Sequence, residues 1–422
     1  MDKIDLLVIN AKELLTLSGP KRARKGKEMS ELGIIEGGAV AVDKGRIVDV
    51  GKTDQIKKRY QAEETMDANG KVVMPGFVDS HTHLVYAGTR EDEVSMKLKG
   101  VSYMDILKSG GGILKTVRET RKANKEELFE LTKRRLDILL MNGTTTAEIK
   151  SGYGLTTENE IKLLEVINEL SKKHSVDVVP TFLGAHIVPP GHDADEYVDL
   201  IVNEMIPLVK KKKLAKFCDV FCEEGVFSVE QSRKILNEGK KYGLKLKIHA
   251  DEIVNTNGAE LAAEVNAISA EHLLKSTKEG IMKLSKSNVI ATLLPATSFY
   301  LDTNYANARF MIENNVPIAL ATDFNPGCLC FAMQFVLNLA CYKLKMTPEE
   351  AITASTINSA YAIDMGDEVG SLEIGKKADI LIIGVPNHKF IPQYLGGNVV
   401  EKVVKNGKIV KQDDFCSLEN RV

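Results

Sequence analysis

Apolar and polar positions along this chain fall into two textures. Near the start, short β-like runs (Leu6-Leu7-Val8-Ile9, Ala39-Val40-Ala41-Val42, Ile47-Val48-Asp49-Val50) are separated by Gly37-Gly38, Lys44-Gly45 and Gly51, residues that supply turn chemistry. The same texture returns at 378–383 and 399–404, and Asn406-Gly407 before Lys408-Ile409-Val410 is a hairpin signal. Both ends therefore predict strands of one small β domain, residues 1–72 with 370–422. Between them, apolar runs at 72–78, 144–149, 176–183, 218–222, 244–248, 267–270, 289–294 and 318–321 alternate with helical patterns. Capping boxes mark helix starts at Thr157 with Glu160, Ser228 with Gln231, and Thr347-Pro348 with Glu350. Ile161, Leu164, Ile167 and Leu170 then fall on one helix face. Strand–helix alternation predicts a parallel sheet. Eight such units in one block predict a closed (β/α)8 TIM-type barrel over 73–369. An open doubly wound sheet would bring a glycine-rich nucleotide turn after a strand, and none stands here in that form. The expected fold class is α/β, a barrel with a small β-sandwich domain built from both chain ends.

Composition narrows this picture in a few places. The 422 residues suffice for a barrel of about 250 with a smaller companion. Apolar residues at 44% and charged residues at 27% suit a large core. A net charge of -2 gives no electrostatic basis for nucleic-acid binding. The six cysteines form no disulfide-scaffold pattern. Cys218/Cys222 and Cys328/Cys330 have spacings open to soft-metal ligation, but the preferred reading, for these and for Cys341 and Cys416, is reduced thiols packed as small hydrophobes. No basic n-region followed by a long apolar stretch opens the chain, so a cytoplasmic location is expected. The uncharged stretch 324–342 is long enough for a membrane span, yet it contains Asn325, Pro326, Gly327, Gln334 and Asn338 and reads as a loop plus a buried helix. The basic run 21–27 reads as a solvated loop, with an address or anion patch as the alternative.

In a barrel the C-terminal strand ends face one mouth, where chemistry collects. The first candidate strand runs into Asp79-Ser80-His81-Thr82-His83, and the third is followed by Gly184-Ala185-His186. The fifth ends in His249-Ala250-Asp251-Glu252, the sixth in Glu271-His272 and the eighth in Thr322-Asp323. Of the eight histidines only His174, His192 and His388 lie elsewhere. Alternation along a strand puts His81 and His83 on one face, so both imidazoles can reach one ion. His249 adds a third nitrogen and Asp323 an oxygen, a donor set suited to Zn2+ or Fe2+. A water completing such a shell becomes a nucleophile near neutral pH. A lone His-x-His is weak evidence, and His249 alone would read as a core histidine. Four candidates on three strand ends reverse that weighting. Glu252 is placed to shuttle a proton or hold a ring N–H, against the plainer reading of a helix N-terminal charge. His272 can polarise a developing oxyanion, against a role in shaping the barrel mouth.

The stretch Pro75-Gly76-Phe77-Val78-Asp79-Ser80-His81-Thr82-His83 resembles the metal-binding opening of the amidohydrolase superfamily. Gly375-Lys376-Lys377-Ala378-Asp379 resembles that superfamily's return to its small β domain. Within it, His81-Thr82-His83-Leu84-Val85-Tyr86-Ala87-Gly88-Thr89-Arg90, Gly110-Gly111-Gly112-Ile113, Lys150-Ser151-Gly152-Tyr153-Gly154 and Thr322-Asp323-Phe324-Asn325-Pro326-Gly327 resemble the imidazolonepropionase family, over essentially the full length. His249-Ala250-Asp251-Glu252 also fits, though related deaminases carry similar patterns.

The resemblance implies hydrolytic opening of 4-imidazolone-5-propanoate to N-formimidoyl-L-glutamate, a step of histidine degradation. It implies one zinc or iron (Fe2+ or Fe3+) per subunit on His81, His83, His249 and Asp323, with Glu252 and His272 flanking the reacting ring and Asp323 counted in the catalytic set. Arg90 matches a substrate position, and a guanidinium suits the propanoate carboxylate. Tyr153 and His186 match ligand positions. Asn325 and Gly327 follow Asp323, where a glycine would let backbone N–H groups approach a carboxylate. Cys328 departs from the family, which has a small hydroxyl residue there; the change is harmless if that contact is through the backbone and weakens substrate binding if it is through the side chain. A homodimer is implied by resemblance only. The nearest rival is a deaminase of the same superfamily acting on a heterocycle. It would share His81, His83, His249, Glu252, His272 and Asp323 but not the reason for Arg90 with Tyr153 and Asn325-Pro326-Gly327. A metal-free assembly scaffold is a rival of another class, and it would have lost metal-ligand candidates that are all present here.

Overall fold

Five strands open the chain in the structure, a computed structural model that describes residues 1–101, 105–106 and 109–412; Cys416 lies outside them. They are β1 (Asp2–Leu15), β2 (Ile34–Asp43), β3 (Arg46–Lys52), β4 (Tyr60–Asp67) and β5 (Val72–Pro75). Strand β1 pairs antiparallel with β2 on one edge. On its other edge it pairs in parallel with β4 along its first half and β5 along its second. A bulge between Val8 and Ala11, with Asn10 at φ 57°, changes the direction of β1 between those two partners.

The barrel follows, as β6 (Phe77–Asp79), β7 (Thr144–Lys150), β8 (Asp177–Ala185), β9 (Phe217–Cys222), β10 (Lys245–Ala250), β11 (Ser269–His272), β12 (Ile290–Leu293) and β13 (Ile318–Leu320). All eight pair in parallel and in chain order. Helices such as Thr157–Lys173 and Val229–Lys241 cover the outside, so the strands are buried on both faces and read as continuous runs.

The chain then returns through β14 (Ile380–Ile383), β15 (Val400–Lys405) and β16 (Lys408–Gln412). Asn406 and Gly407, at φ 49° and 76°, turn β15 into β16, the left-handed pair that a tight hairpin needs. Strand β14 lies antiparallel to β5. All eight terminal strands thus join one mixed sheet, ordered β16-β15-β14-β5-β1-β2-β3 with β4 beside β1. The halves taken from sequence as a sandwich are continuous through β1.

The candidate strand 72–78 is two strands. Residues 72–75 pair within the small sheet and 77–79 within the barrel, and Gly76 makes the transfer, its N–H donating to Asp379 O while Phe77 N–H donates to Gly143 O. A Cβ at position 76 would lie 2.1 Å from Thr145 Oγ1, so only glycine fits that crossing. The capping boxes of Ser228 with Gln231 and Thr347 with Glu350 form. On the helix Thr157–Lys173 the N-cap is Thr156, one residue earlier than expected, which frees Glu160 for the site described below. The basic run is not simply solvated. Arg24 is buried and donates to the carbonyls of Pro20, Arg22 and Leu17, while Arg22 pairs with Glu28 at 2.7 Å. Residues 324–342 are a loop followed by the helix Met333–Tyr342. Among the described residues no helix is long and apolar enough to cross a membrane.

Strands β6 and β13 are too short to pair along their lengths. The seam between them closes just beyond their ends, where Asp323 N–H donates to His81 O (3.1 Å) and His83 N–H to Phe324 O (2.7 Å). Below it, Thr322 donates its N–H and hydroxyl to the two oxygens of Asp79 at 3.0 and 2.6 Å. The backbone bonds that close the barrel are therefore made by the same residues that carry the candidate chemistry.

Candidate active site

Because β6 and β13 meet at this seam, their terminal side chains are forced together. His81 Nε2 and His83 Nε2 stand 3.2 Å apart, and Asp323 Oδ1 lies 3.4 and 3.6 Å from them. His249, from the end of β10, brings a third imidazole, its ring centroid 4.6 Å from that of His81. Donor atoms of His81, His83 and His249 all lie within 4.8 Å of one another, as do those of His81, His272 and Asp323. The buried Nε2 of His249 has no hydrogen-bond partner. Such an atom, in a group with the nitrogens of His81 and His83, is costly unless a cation takes its lone pair, and with Asp323 beside those two imidazoles the donor set fits a divalent metal ion. The electrostatics agree. Burial opposes a charge on His81, yet Glu271 and Asp323 outweigh it and raise its pKa to about 9, so a proton occupies ground that suits a cation. Burial likewise opposes ionisation of Asp323, but the neighbouring imidazoles, His81 foremost, hold it well below the usual carboxylate range. Its second oxygen accepts the Thr297 hydroxyl at 2.6 Å.

The far nitrogens are also held. His81 Nδ1 lies 2.5 Å from Glu271 Oε2, and His249 Nδ1 3.1 Å from Asp219 Oδ2. Both carboxylates are fully buried inside the barrel. Partners of this kind set the tautomer of a metal-binding histidine and present its other nitrogen to the ion. The sequence reading gave no role to Asp219 or to Glu271, which it named only as part of a strand end. Their signal was a charge inside an apolar strand, which must be paired when the strand lines a barrel interior.

Glu252 and His272 face each other at 3.6 Å across the mouth. Residues 252–254 are fixed from beneath by Glu223, whose carboxylate accepts the N–H groups of Glu252, Ile253 and Val254 at 2.9 to 3.1 Å. His272 holds φ 70° and Leu273 φ 59°, a strained pair for non-glycine residues, of the kind that persists where surrounding structure demands it. Burial, then the charges of Asp323 and Glu223, push the Glu252 carboxyl up to about 8. Burial lowers His272 to about 3, with His249 and His81 adding to the effect. At neutral pH the metal-free protein thus carries a neutral acid beside a neutral imidazole.

A linkage prediction follows. A carboxyl raised from about 4.3 in the unfolded chain to about 8 in the fold contributes stability that is fully present below the lower value. That contribution is lost as pH rises through the upper one, at about 1.4 kcal/mol per pH unit between them. Glutamine does not titrate. Thermal melts in chelator should therefore show metal-free Glu252→Gln gaining on the parent from pH 5 to pH 8 and levelling above; a melting difference independent of pH would refute the shift.

The remaining sequence-predicted residues surround this centre. Tyr153 lies with its ring centroid 5.9 Å from that of His83 and 5.3 Å from that of His186. Its loop is organised by Glu160, which accepts the N–H groups of Gly152, Gly154 and Leu155 at 2.7 to 3.0 Å. His186 stacks on His83 at 5.0 Å and pairs through Nδ1 with Gly152 O at 3.0 Å. Arg90 donates Nε and Nη2 to Glu93 Oε2 at 3.0 and 2.8 Å, while Glu93 Oε1 accepts Gly112 N–H at 2.6 Å. This buried glutamate, unread in sequence, draws the glycine triplet at 110–112 to the arginine. Arg90 Nη1 also packs at Gly327, 3.7 Å from where a Cβ would stand. The N–H groups of Gly327 and Cys328, expected to meet a substrate carboxylate, donate here to Asn325 Oδ1 at 2.8 and 3.0 Å. Cys328 is buried, and burial raises its thiol pKa. Among the described residues no cysteine joins a group that could hold a metal.

The chain is similar to known proteins over nearly its whole length. Residues 72–410 match the Amidohydrolase family, and residues 38–60 match the Imidazolonepropionase-like composite domain of bacteria. It is 51% identical over 413 residues to imidazolonepropionase of Alkaliphilus metalliredigens, covering 96% of this chain and 98% of the relative. It is 53% identical over 416 residues to imidazolonepropionase of Geobacillus kaustophilus, covering 97% and 98%. Among solved structures it resembles E. coli guanine deaminase, with TM-score 0.73 and 17% identity over 97% of this chain and 99% of that one. A zinc-bound adenosine deaminase from Xanthomonas campestris gives TM-score 0.73 and 18% identity over 98% and 94%. The two deaminases share the fold.

Proposed function

Because the chain belongs to the amidohydrolase family, and within it to the imidazolonepropionases, we propose that it opens the ring of 4-imidazolone-5-propanoate with water. It is a metal-dependent hydrolase of histidine breakdown. His81, His83, His249 and Asp323 would hold one ion, zinc or iron, since both accept three imidazoles and a carboxylate. Bound there, the ion supplies a Lewis acid and acidifies a water.

The protein's own groups do the rest. Glu252 takes a proton from the attacking water and delivers it to the ring nitrogen as the C–N bond breaks, which yields N-formimidoyl-L-glutamate. Burial raises this carboxyl to about 8 in the metal-free protein, and the charge of a bound ion would favour the carboxylate form that the proton uptake requires. His272, neutral because of its burial, donates to the oxygen on which charge develops. Asp323, held through Oδ2 by Thr297, would have its other oxygen available to the ion. Tyr153 and His186 wall the ring, and the turn 325–328 ends the pocket beside Arg90.

One observation carries the choice of substrate over a deaminase reading: the Arg90 guanidinium, oriented by Glu93, has Nη1 3.7 Å from where a Cβ at Gly327 would stand, in the turn that follows Asp323. A guanidinium fixed beside that turn suits a side-chain carboxylate, which purines and pyrimidines lack. Metal-loaded enzyme should consume imidazolonepropanoate, followed by absorbance, and give N-formimidoyl-L-glutamate; ammonia release from an aminated heterocycle, without that product, would favour the deaminase. Arg90→Ala should raise KM by about tenfold to a hundredfold, the worth of a charge-assisted pair, at unchanged metal content. Equal loss of metal would make Arg90 structural. The proposal includes a cytoplasmic homodimer without nucleic-acid or membrane partners. Exposed Phe299 and Leu329 beside an apolar groove support a second copy as the occupant of that face, to be checked by sedimentation.

A further inference from the structure

Beneath the imidazoles lies a buried cluster that the proposed chemistry does not use. Lys150, at the end of β7, has no solvent exposure, and neither have Glu148, Asp219, Glu271 and Lys247 around it. Its ammonium stands 2.8 Å from Glu148 Oε1, 2.8 Å from Asp219 Oδ2 and 3.0 Å from Glu271 Oε2. Two of those oxygens are the ones that hold the histidines: Asp219 Oδ2 faces His249 Nδ1, and Glu271 Oε2 faces His81 Nδ1. One ammonium thus bridges the two carboxylates that orient two imidazoles on different strands. The Lys150 backbone joins the same assembly, since its N–H donates to Thr82 O, between His81 and His83, at 2.9 Å. Donor atoms of Asp219, His249 and Glu271 also lie within 4.8 Å of one another, a grouping able to hold a metal ion by itself. The ammonium sits against both of its carboxylates.

We propose that Lys150 is a fixed internal cation, standing where a second metal ion would otherwise bind and locking Asp219 and Glu271 in the positions that aim His249 and His81 at the single ion. It is a positioning residue, and this rests on the reading of His81 and His249 as ligands. Burial works against its charge, and the three carboxylates overcome that cost, so the cluster stays ionised in a dry interior. Removal of the lysine leaves Asp219 Oδ2 and Glu271 Oε2 mutually repelled and without the bridge between them. Glu271 is then held through Oε1, by Lys247 at 2.8 Å and Ser269 at 3.1 Å, and Asp219 through Oδ1 by Val220 N–H, so the oxygens that face the two imidazoles lose their fixed positions. A lysine acting only as a nearby positive charge would do the opposite, since its loss would relieve repulsion and tighten the ion.

The test is zinc affinity of Lys150→Met, by chelator competition, with the visible spectrum of the Co2+-loaded protein as a report on ligand geometry. We expect binding of one ion per chain, weakened by about 10- to 100-fold as for other outer partners of metal ligands, and altered Co2+ bands. A folded variant with parental or tighter affinity and an unchanged spectrum overturns the proposal while leaving the ligand reading intact. A parent that binds no zinc defeats the ligand reading itself. If Lys150→Met does not fold, the charge-balanced pair Lys150→Met/Glu148→Gln carries the same expectations. Failure of that pair to fold assigns the lysine to the barrel interior and also overturns the proposal.

Discussion

Replacing Glu252 by glutamine will leave the bound metal in place and cut turnover by about a hundredfold or more. The side chain is not in the proposed ligand set, and Glu223 fixes its backbone through the N–H groups of residues 252–254. Its environment already favours the neutral acid, pushed up to about 8, and an amide is nearly isosteric with that acid. The change therefore costs the metal-free fold little at neutral pH. What it removes is a proton carrier 3.6 Å from His272 at the barrel mouth. Single-turnover rates with metal content measured on the same sample check this. Unchanged turnover would mean that proton transfer belongs elsewhere, with His272 the first candidate.

A larger loss is expected from Asp323→Asn. Metal content should fall to that of the chelator-treated parent and turnover to background. Asparagine suits the test better than alanine. It tolerates the left-handed backbone at this position, φ 48°, and can still accept the Thr297 hydroxyl. Alanine would strand that buried hydroxyl, at about 1–3 kcal/mol. The asparagine variant loses the anion that balances the imidazole cluster while its seam bonds to His81 and His83 survive, since these are made by backbone atoms. Retained metal with retained turnover would exclude Asp323 from the site's chemistry.

The parts of this account that were legible in sequence share a physical basis. His81-Thr82-His83, His249 and Asp323 stand at the ends of apolar runs, and a parallel barrel gathers strand ends at one mouth, so residues hundreds of positions apart could be assigned to one place. The hairpin at Asn406-Gly407 was legible because few other residues accept two consecutive positive φ angles. The run 72–78 was misread because hydrophobicity reports burial and not which sheet buries it; only the steric demand at Gly76 separates β5 from β6. The cap fell on Thr156 because the inward turn of Glu160 toward the Tyr153 loop is a tertiary matter. Lys150 and Glu271 were named only as parts of strand-end motifs, and Asp219 not at all. Their meaning appears only when β7, β9 and β11 are side by side and the cost of burying each charge is weighed against its partners. Glu93 and Glu223 went unread for a related reason: each serves another loop's backbone, and no local pattern announces that.

The most direct measurement is an anomalous difference map, collected at the metal absorption edge from crystals of the metal-loaded protein. One peak per chain is expected, roughly 2.0–2.2 Å from Nε2 of His81, His83 and His249 and from one oxygen of Asp323. A peak bonded to other residues, or one that leaves His249 or Asp323 out of reach, would contradict the account.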